Sequence, residues 1–368
     1  MNVLPQGFVT FATAVAAIAI NALWQDALLV LLVWLVLRGF PRINASTRYT
    51  VWTATLAAAI VIPVATTLPF FTAPRPAPVA LAATAERLPA QGAIHQTHHR
   101  AVQLPAGGAR ATAELPQLPE RLRVTLPAPV ALAVFIAWLL LAGFALVRLA
   151  IGLVRLEQLK RDALPLSVEY RDAMPQWTRA NKGTRDVRLC VSDETDVPVA
   201  VGLFDAMILI PHSLLDRLSE GEVDQICLHE LAHLRRADDW TNGLQRVINA
   251  LLAWNPAAQF VGQQLDLERE VACDDWVLSF VGTVRPYALC LTKMAESAAW
   301  PRNPIPAPGV FATRKHISLR IERLLGAGRN IATNLAVGPA IAAVAAVAAL
   351  ALVIAVVAPS VAAPEVGA

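Results

Sequence analysis

The stretch Cys227-Leu-His-Glu-Leu-Ala-His-Leu-Arg-Arg236 (CLHELAHLRR) places two histidines four residues apart around a glutamate. On a helix His229 and His233 sit one turn and about 40° apart, so both imidazoles leave one face at a separation that can chelate a single ion. Glu230 lies about 100° around the helix, too oblique to bind beside them but able to reach the open position, where a bound water has its pKa lowered to about 7. That is the place of a general base. The pattern predicts one zinc ion per chain, held by His229, His233 and a third ligand from elsewhere. The competing reading is a pair of half-buried histidines satisfied by backbone carbonyls.

Working outward, Ser219-Glu-Gly-Glu222 is a capping-box pattern, so a helix should start near Glu220 and carry the motif in its third turn. A second helix, about Thr241 to Trp254, should break at Asn255-Pro256, because proline disfavours a helical residue before it. A third, about Ala257 to Phe280, carries QQLDLEREVACDDWVL. Glu270 and Asp274 share a face of it at i and i+4, and a catalytic zinc wants three protein ligands. Glu270 is assigned to the metal and Asp274 to orienting a histidine or the Glu270 side chain. Asp266, Glu268 and Asp275 are read as a solvated face, and Cys227 and Cys273 as small apolar fillers. Upstream, helical LVRLEQLKRDA leads to DVRLCVS and VPVAVGLFDAMILIP, whose β-branched runs suggest short strands. Downstream, KHISLRIERLL is amphipathic.

The surroundings belong to a membrane protein. Apolar residues make up 56% and charged residues 16%, against about 45–50% and 25% for a soluble domain. Three charge-free stretches, Tyr49 to Thr72, Thr125 to Val147 and Asn330 to Ala363, are long enough to cross about 30 Å of hydrocarbon. Phe8 to Leu37 is apolar but interrupted by Asn21, Gln25 and Asp26, and predicts one span from about Ile18 after an interfacial lead-in. Asp26, beside Trp24, is read as marking the outer interface rather than as a functional acid. The expected frame is two spans (about 18–37 and 49–71) with a short cytoplasmic loop, an external loop (73–126), a third span (127–149), a cytoplasmic block (150–329), a fourth span (331–358) and a short external tail (359–368).

Orientation follows from Arg38, Arg42 and Arg48, from Arg148, Arg155, Lys160 and Arg161, and from Arg314, Lys315, Arg320, Arg323 and Arg329, all of which flank spans. By the positive-inside rule these flanks are cytoplasmic and both termini external. The net charge of +3 reflects this asymmetry rather than a nucleic-acid patch. No Lys or Arg precedes Arg38, so no cleaved signal peptide is expected. Cys190, Cys227, Cys273 and Cys290 fall in the cytoplasmic block without ligand spacing and read as free thiols. The external loop, rich in Pro and Ala, is expected to be mostly flexible, and its His95, His98 and His99 to be a solvated polar cluster.

These residues resemble the BlaR/MecR-type membrane zinc peptidases. The likeness rests on VPVAVGLFDAMILIP, LSEGEVDQICLHELAHLRRADDW and NPAAQFVGQQLDLEREVACDDWVL, and covers about residues 150 to 329 within a four-span frame. It implies an α+β gluzincin-like zinc metallopeptidase domain in the cytoplasm of a bacterial inner-membrane protein. Pro198, Gly202 and an edge strand formed by Ala206, Met207, Ile208, Leu209 and Ile210 would precede the zinc helix, that strand pairing with an extended peptide substrate. It further implies Glu270, Cys273 and Asp274 as the third-ligand pattern. Signalling by self-cleavage or by cleavage of a winged-helix transcriptional repressor is the implied activity, and a homodimer is compatible with it. The family's C-terminal penicillin-binding sensor has no counterpart here, since about ten residues follow span four without a Ser-x-x-Lys motif, so β-lactam sensing by this chain alone is not expected. Rival readings are a housekeeping membrane protease and a catalytically silent receptor or scaffold. Tyr287 and His316 are considered as oxyanion donors, a packed tyrosine and a surface histidine being preferred. Trp300 to Gly309 and the basic piece Arg320 to Arg329 are considered as self-cleavage regions.

Overall fold

Among the described residues, four helices are long and apolar enough to cross a bilayer: Gln6–Gly39, Ala45–Thr67, Ala128–Asp162 and Val337–Val357. A computed structural model describes residues 5–68, 123–182, 186–202, 205–298, 314–326, 330–333, 337–357 and 360–362. The His95, His98 and His99 cluster, the rest of the external loop to residue 122 and the stretch 300–309 lie outside the described residues. The first helix is continuous over 34 residues, so the expected lead-in is helical too, and at about 50 Å it exceeds the hydrocarbon thickness. Leu29, Val33, Trp52, Leu56 and Ile62 pack the first two helices together, with Val347 and Ile354 of the fourth against them.

Six strands are described: β1 (Arg123–Thr125), β2 (Leu164–Pro165), β3 (Arg188–Ser192), β4 (Val199–Val201), β5 (Met207–Pro211) and β6 (Ser360–Ala362). β1 and β6 pair in parallel at the far ends of the third and fourth apolar helices. The other four form a mixed sheet in the order β2-β3-β5-β4, with β3 and β5 parallel and both outer pairs antiparallel.

The expected edge strand is therefore an interior one. Ala206 is buried just before it, and Met207, Ile208, Leu209, Ile210 and Pro211 are all buried, hydrogen-bonded to neighbours on both sides. An apolar run without alternation is what a strand covered on both faces requires. One face, with Ile208 and Ile210, packs on Ile226, Cys227 and Leu231 of the motif helix. The other, with Met207 and Leu209, packs on Leu159, where the third apolar helix runs on past the membrane. β2 and β4 are the outer strands, and the edge of β4, with which no further strand pairs among the described residues, is the one beside the cleft described below.

The motif helix spans Glu220–Arg235, and its capping box forms: the Ser219 backbone N–H donates to Glu222 Oε2 at 3.0 Å. Next comes Asp238–Leu251, starting three residues earlier than the sequence suggests, and then Pro256–Val281, with Asn255 as its N-cap. The break at Asn255-Pro256 falls where proline places it. Ala237, between the first two, adopts φ 56°, a left-handed conformation costing an L-residue about 1–2 kcal/mol. Glycine there should raise stability by up to about 1 kcal/mol, net of the freedom it adds to the unfolded chain. Thermal unfolding of Ala237→Gly tests this, and a lowered midpoint would show that the turn is unstrained.

The third of these helices does not present a solvated acidic face. Glu268 is fully buried, held by Arg48 Nε at 2.8 Å and by Arg323 Nη1 at 2.9 Å. Asp275 is buried, and Asp266 takes Arg246 at 3.1 Å and Arg269 at 3.2 Å. The helix lies between the apolar bundle on one side and the sheet-bearing unit on the other, so polar side chains on several faces find partners. Asp26 likewise is buried among helices, its Oδ2 accepting from Asn255 Nδ2 at 2.7 Å.

Candidate metal centre

The motif helix lies on the sheet by its Ile226, Cys227 and Leu231 face, which leaves His229, Glu230 and His233 turned toward a cleft of about 190 Å³. Val197, Pro198, Val199 and Ala200, the segment of the free edge, form one wall of it. Glu270 enters from helix Pro256–Val281, its Oε2 3.3 Å from His229 Nε2 and its Oε1 3.5 Å from His233 Nε2. One donor atom from each of the three lies within 4.8 Å of the other two, a group able to hold a metal ion.

Each imidazole has its other nitrogen fixed. His229 Nδ1 lies 3.0 Å from the Tyr287 hydroxyl and 3.3 Å from Asp274 Oδ1, and the tyrosine donates to Asp274 Oδ1 at 2.7 Å. His233 Nδ1 lies 2.9 Å from Asp238 Oδ2. A carboxylate behind Nδ1 sets the tautomer that presents Nε2 and raises its basicity. Asp274 thus lies behind His229, on the side away from Nε2. Asp238 was missed: it is five residues beyond His233, off the helical face, and only the left-handed turn at Ala237 brings it back. Its group with His233 and Cys273 could itself hold an ion; burial pushes the Cys273 thiol well above its usual range, so an ion there would have to displace its proton.

Arg320 was also missed. It is buried on helix Arg314–Leu325, with Nη1 2.8 Å from Glu270 Oε2 and Nη2 and Nε at 2.6 and 2.9 Å from Asp274. Of the segment read as a basic cleavage region, Arg320 to Leu325 belongs to a packed helix that supplies a cation to the site, and residues 327–329 lie outside the described residues. Nothing in KHISLRIERLL marks one arginine among several as buried, although Ile317 and Arg320, three apart, share the face that lines the cleft. His316 does not line it. Tyr287 is fully buried with its hydroxyl engaged, so the packed reading holds.

Electrostatics follow from this clustering. Burial opposes charge on Glu270 and on Asp274, but Arg320 and the histidines hold both carboxyls well below the usual range. Burial and Arg320 disfavour a proton on His229, yet Asp274 and Glu270 outweigh them and lift it to about 9. The site draws in positive charge.

A family model described as BlaR1 peptidase M56 matches residues 17–324. The methicillin resistance mecR1 proteins of Staphylococcus aureus and Staphylococcus epidermidis are each 28% identical over 97 residues, covering 26% of this chain and 17% of the relative. The chain thus aligns with less than a fifth of the length of these relatives, while the family match takes in the second and third apolar helices and most of the first, the cleft and Arg320 together. With four membrane-length helices around a His-Glu-x-x-His helix and an acidic partner helix, the chain belongs to the BlaR1 peptidase M56 family, a family of metallopeptidases.

Proposed function

We propose that the protein is a zinc endopeptidase of the bacterial inner membrane that transmits a signal by cutting itself or a cytoplasmic transcriptional repressor. The observation that carries this reading is the convergence of His229, His233 and Glu270 beside Glu230, under a free strand edge. The two imidazole Nε2 atoms lie 3.3 and 3.5 Å from the two oxygens of the Glu270 carboxylate, and one donor atom from each residue lies within 4.8 Å of the other two, close enough for one ion to bridge them. Two imidazoles and a carboxylate are also a donor set of catalytic zinc. When bound, zinc supplies polarisation of the scissile carbonyl and an acidified water.

The chain's own residues do the rest. Glu230 accepts a proton from the attacking water and returns it to the departing amine. The β4 edge offers unpaired N–H and C=O groups, so a peptide docks as one more strand and lays its backbone across the cleft. The arginine-rich flanks support a cytoplasmic peptidase unit and external termini, and the match to a peptidase family supports proteolysis.

The test is cleavage in membranes with a co-expressed candidate repressor, followed by immunoblot of both proteins. Fragments should be present with zinc, absent under a chelator and restored by zinc. Cleavage that persists under chelation overturns the reading, and intact patterns under every inducer favour a scaffold. Asp238→Ala should weaken zinc binding by about 10–100-fold, measured by competition with a chelating dye; unchanged affinity would deny Asp238 its role behind His233.

A further inference from the structure

Helices Asp238–Leu251 and Pro256–Val281 form a hairpin whose open end carries Asp238 and Glu270 and whose closed end is Asn255. Its level is fixed at two points. Arg48 donates to Leu37 O at 3.2 Å and to Glu268 at 2.8 Å, which aligns the ends of the first two spans with the start of the metal site. Asn255 donates to Asp26 at 2.7 Å. Asp26 is eleven residues inside the span from Leu37, and Asn255 thirteen from Glu268, so the tip lies about 17–20 Å below that level. Given about 30 Å of hydrocarbon, this is past the middle.

Two further observations fit that depth. Between Asp239 and Asp266 the sequence holds a single charged residue, Arg246, and its guanidinium reaches back along the hairpin to Asp266 at 3.1 Å, as a snorkelling arginine does. Backbone groups freed where the helices break are satisfied by side chains rather than left to water. Gln259 Nε2 donates to Asn249 O at 2.9 Å and Leu252 O at 3.0 Å, Trp138 Nε1 donates to Leu251 O at 3.1 Å, and Asn255 Oδ1 accepts from Ala257 N at 3.0 Å. Hydrocarbon imposes that requirement, and solvent does not.

One face of the hairpin is apolar and, among the described residues, largely exposed. Trp240, Leu244, Val247 and Leu251 are 51%, 64%, 39% and 40% exposed and fall within an arc of about 60°. This stripe adjoins the exposed apolar surface of the third span, to which Trp138 joins it.

We propose that the hairpin is inserted in the bilayer from the metal-site side, with the Trp240–Leu251 stripe against lipid acyl chains. The metal centre then sits at the membrane surface, and the protease works on segments delivered within reach of it. The proposal rests on the spans alone and stands whether or not the site holds zinc.

Nitroxide labels at Leu244→Cys and Val247→Cys, in the full chain in phospholipid vesicles, test it through collision with oxygen and with a water-soluble nickel chelate. The four native cysteines are buried, and the unsubstituted chain gives the background. Leu141→Cys on the third span serves as the lipid reference and Glu169→Cys, exposed on the sheet-bearing unit, as the water reference. Preference for oxygen at 244 and 247, matching 141, is the expected result. Nickel accessibility matching 169 overturns the proposal, as does exclusion of both reagents with spin–spin broadening, which would mean a second copy covers the stripe. Should a label disrupt folding, a bilayer-confined photoreactive probe on the unsubstituted chain should modify the peptide containing 244–251 alongside the third span. Modification of the span without that peptide overturns the proposal.

Discussion

Glu230→Gln is expected to slow peptide-bond cleavage by about two to four orders of magnitude while zinc remains bound. The substitution keeps size and hydrogen-bonding length but removes the ability to take a proton from water. His229, His233 and Glu270, which would hold the metal, are untouched. Glu230 lines the cleft and is 8% exposed, so solvent buffer has poor access to replace it. Metal content by mass spectrometry and fragment formation by immunoblot read the two halves separately. Undiminished cleavage would remove Glu230 from the chemistry, and loss of the metal along with the activity would make it part of the metal site. A silent scaffold would keep its cellular function in this variant.

The second large effect is expected at Arg320. Methionine there keeps much of the length and apolar bulk but leaves the carboxylates of Glu270 and Asp274 buried without their guanidinium. Breaking a buried pair on one side costs about 3–5 kcal/mol. Thermal unfolding of Arg320→Met should show a loss of that order in chelator-treated protein and a smaller one with zinc, because the ion neutralises Glu270 but not Asp274. A chelated variant as stable as the parent would mean that solvent reaches these carboxylates. Adding Asp274→Asn should recover part of the loss, since it removes the carboxylate that zinc cannot neutralise.

What the sequence disclosed was local. The capping box at Ser219, the break at Asn255-Pro256 and the four apolar runs are written in adjacent residues, and the i, i+4 pairs His229/His233 and Glu270/Asp274 need only a helix to be read. What escaped depends on the arrangement of elements in space. The resemblance made β5 an edge strand, yet its unbroken apolar run MILIP was a sign of burial on both faces. Glu268 and Asp275 looked solvated because carboxylates usually are, and only Arg48 and Arg323, distant in sequence, make a buried Glu268 tolerable. Asp238 and Arg320 complete the site through one left-handed turn and one distant helix, neither of which leaves a periodic trace.

The free β4 edge bears on which proteins can be cut at all. A strand edge reads backbone, and only backbone that is already extended can pair with it, so a target folded at the scissile segment must first open there. Cleavage then proceeds in proportion to the opened fraction, and each 1.4 kcal/mol of local stability lowers the rate about tenfold. A segment needing about 4 kcal/mol to open would be cut roughly a thousand times more slowly than a disordered tail of identical sequence. Selection among substrates would then rest on local unfolding free energy, and a regulator could be made susceptible by any event that loosens its cleavage segment.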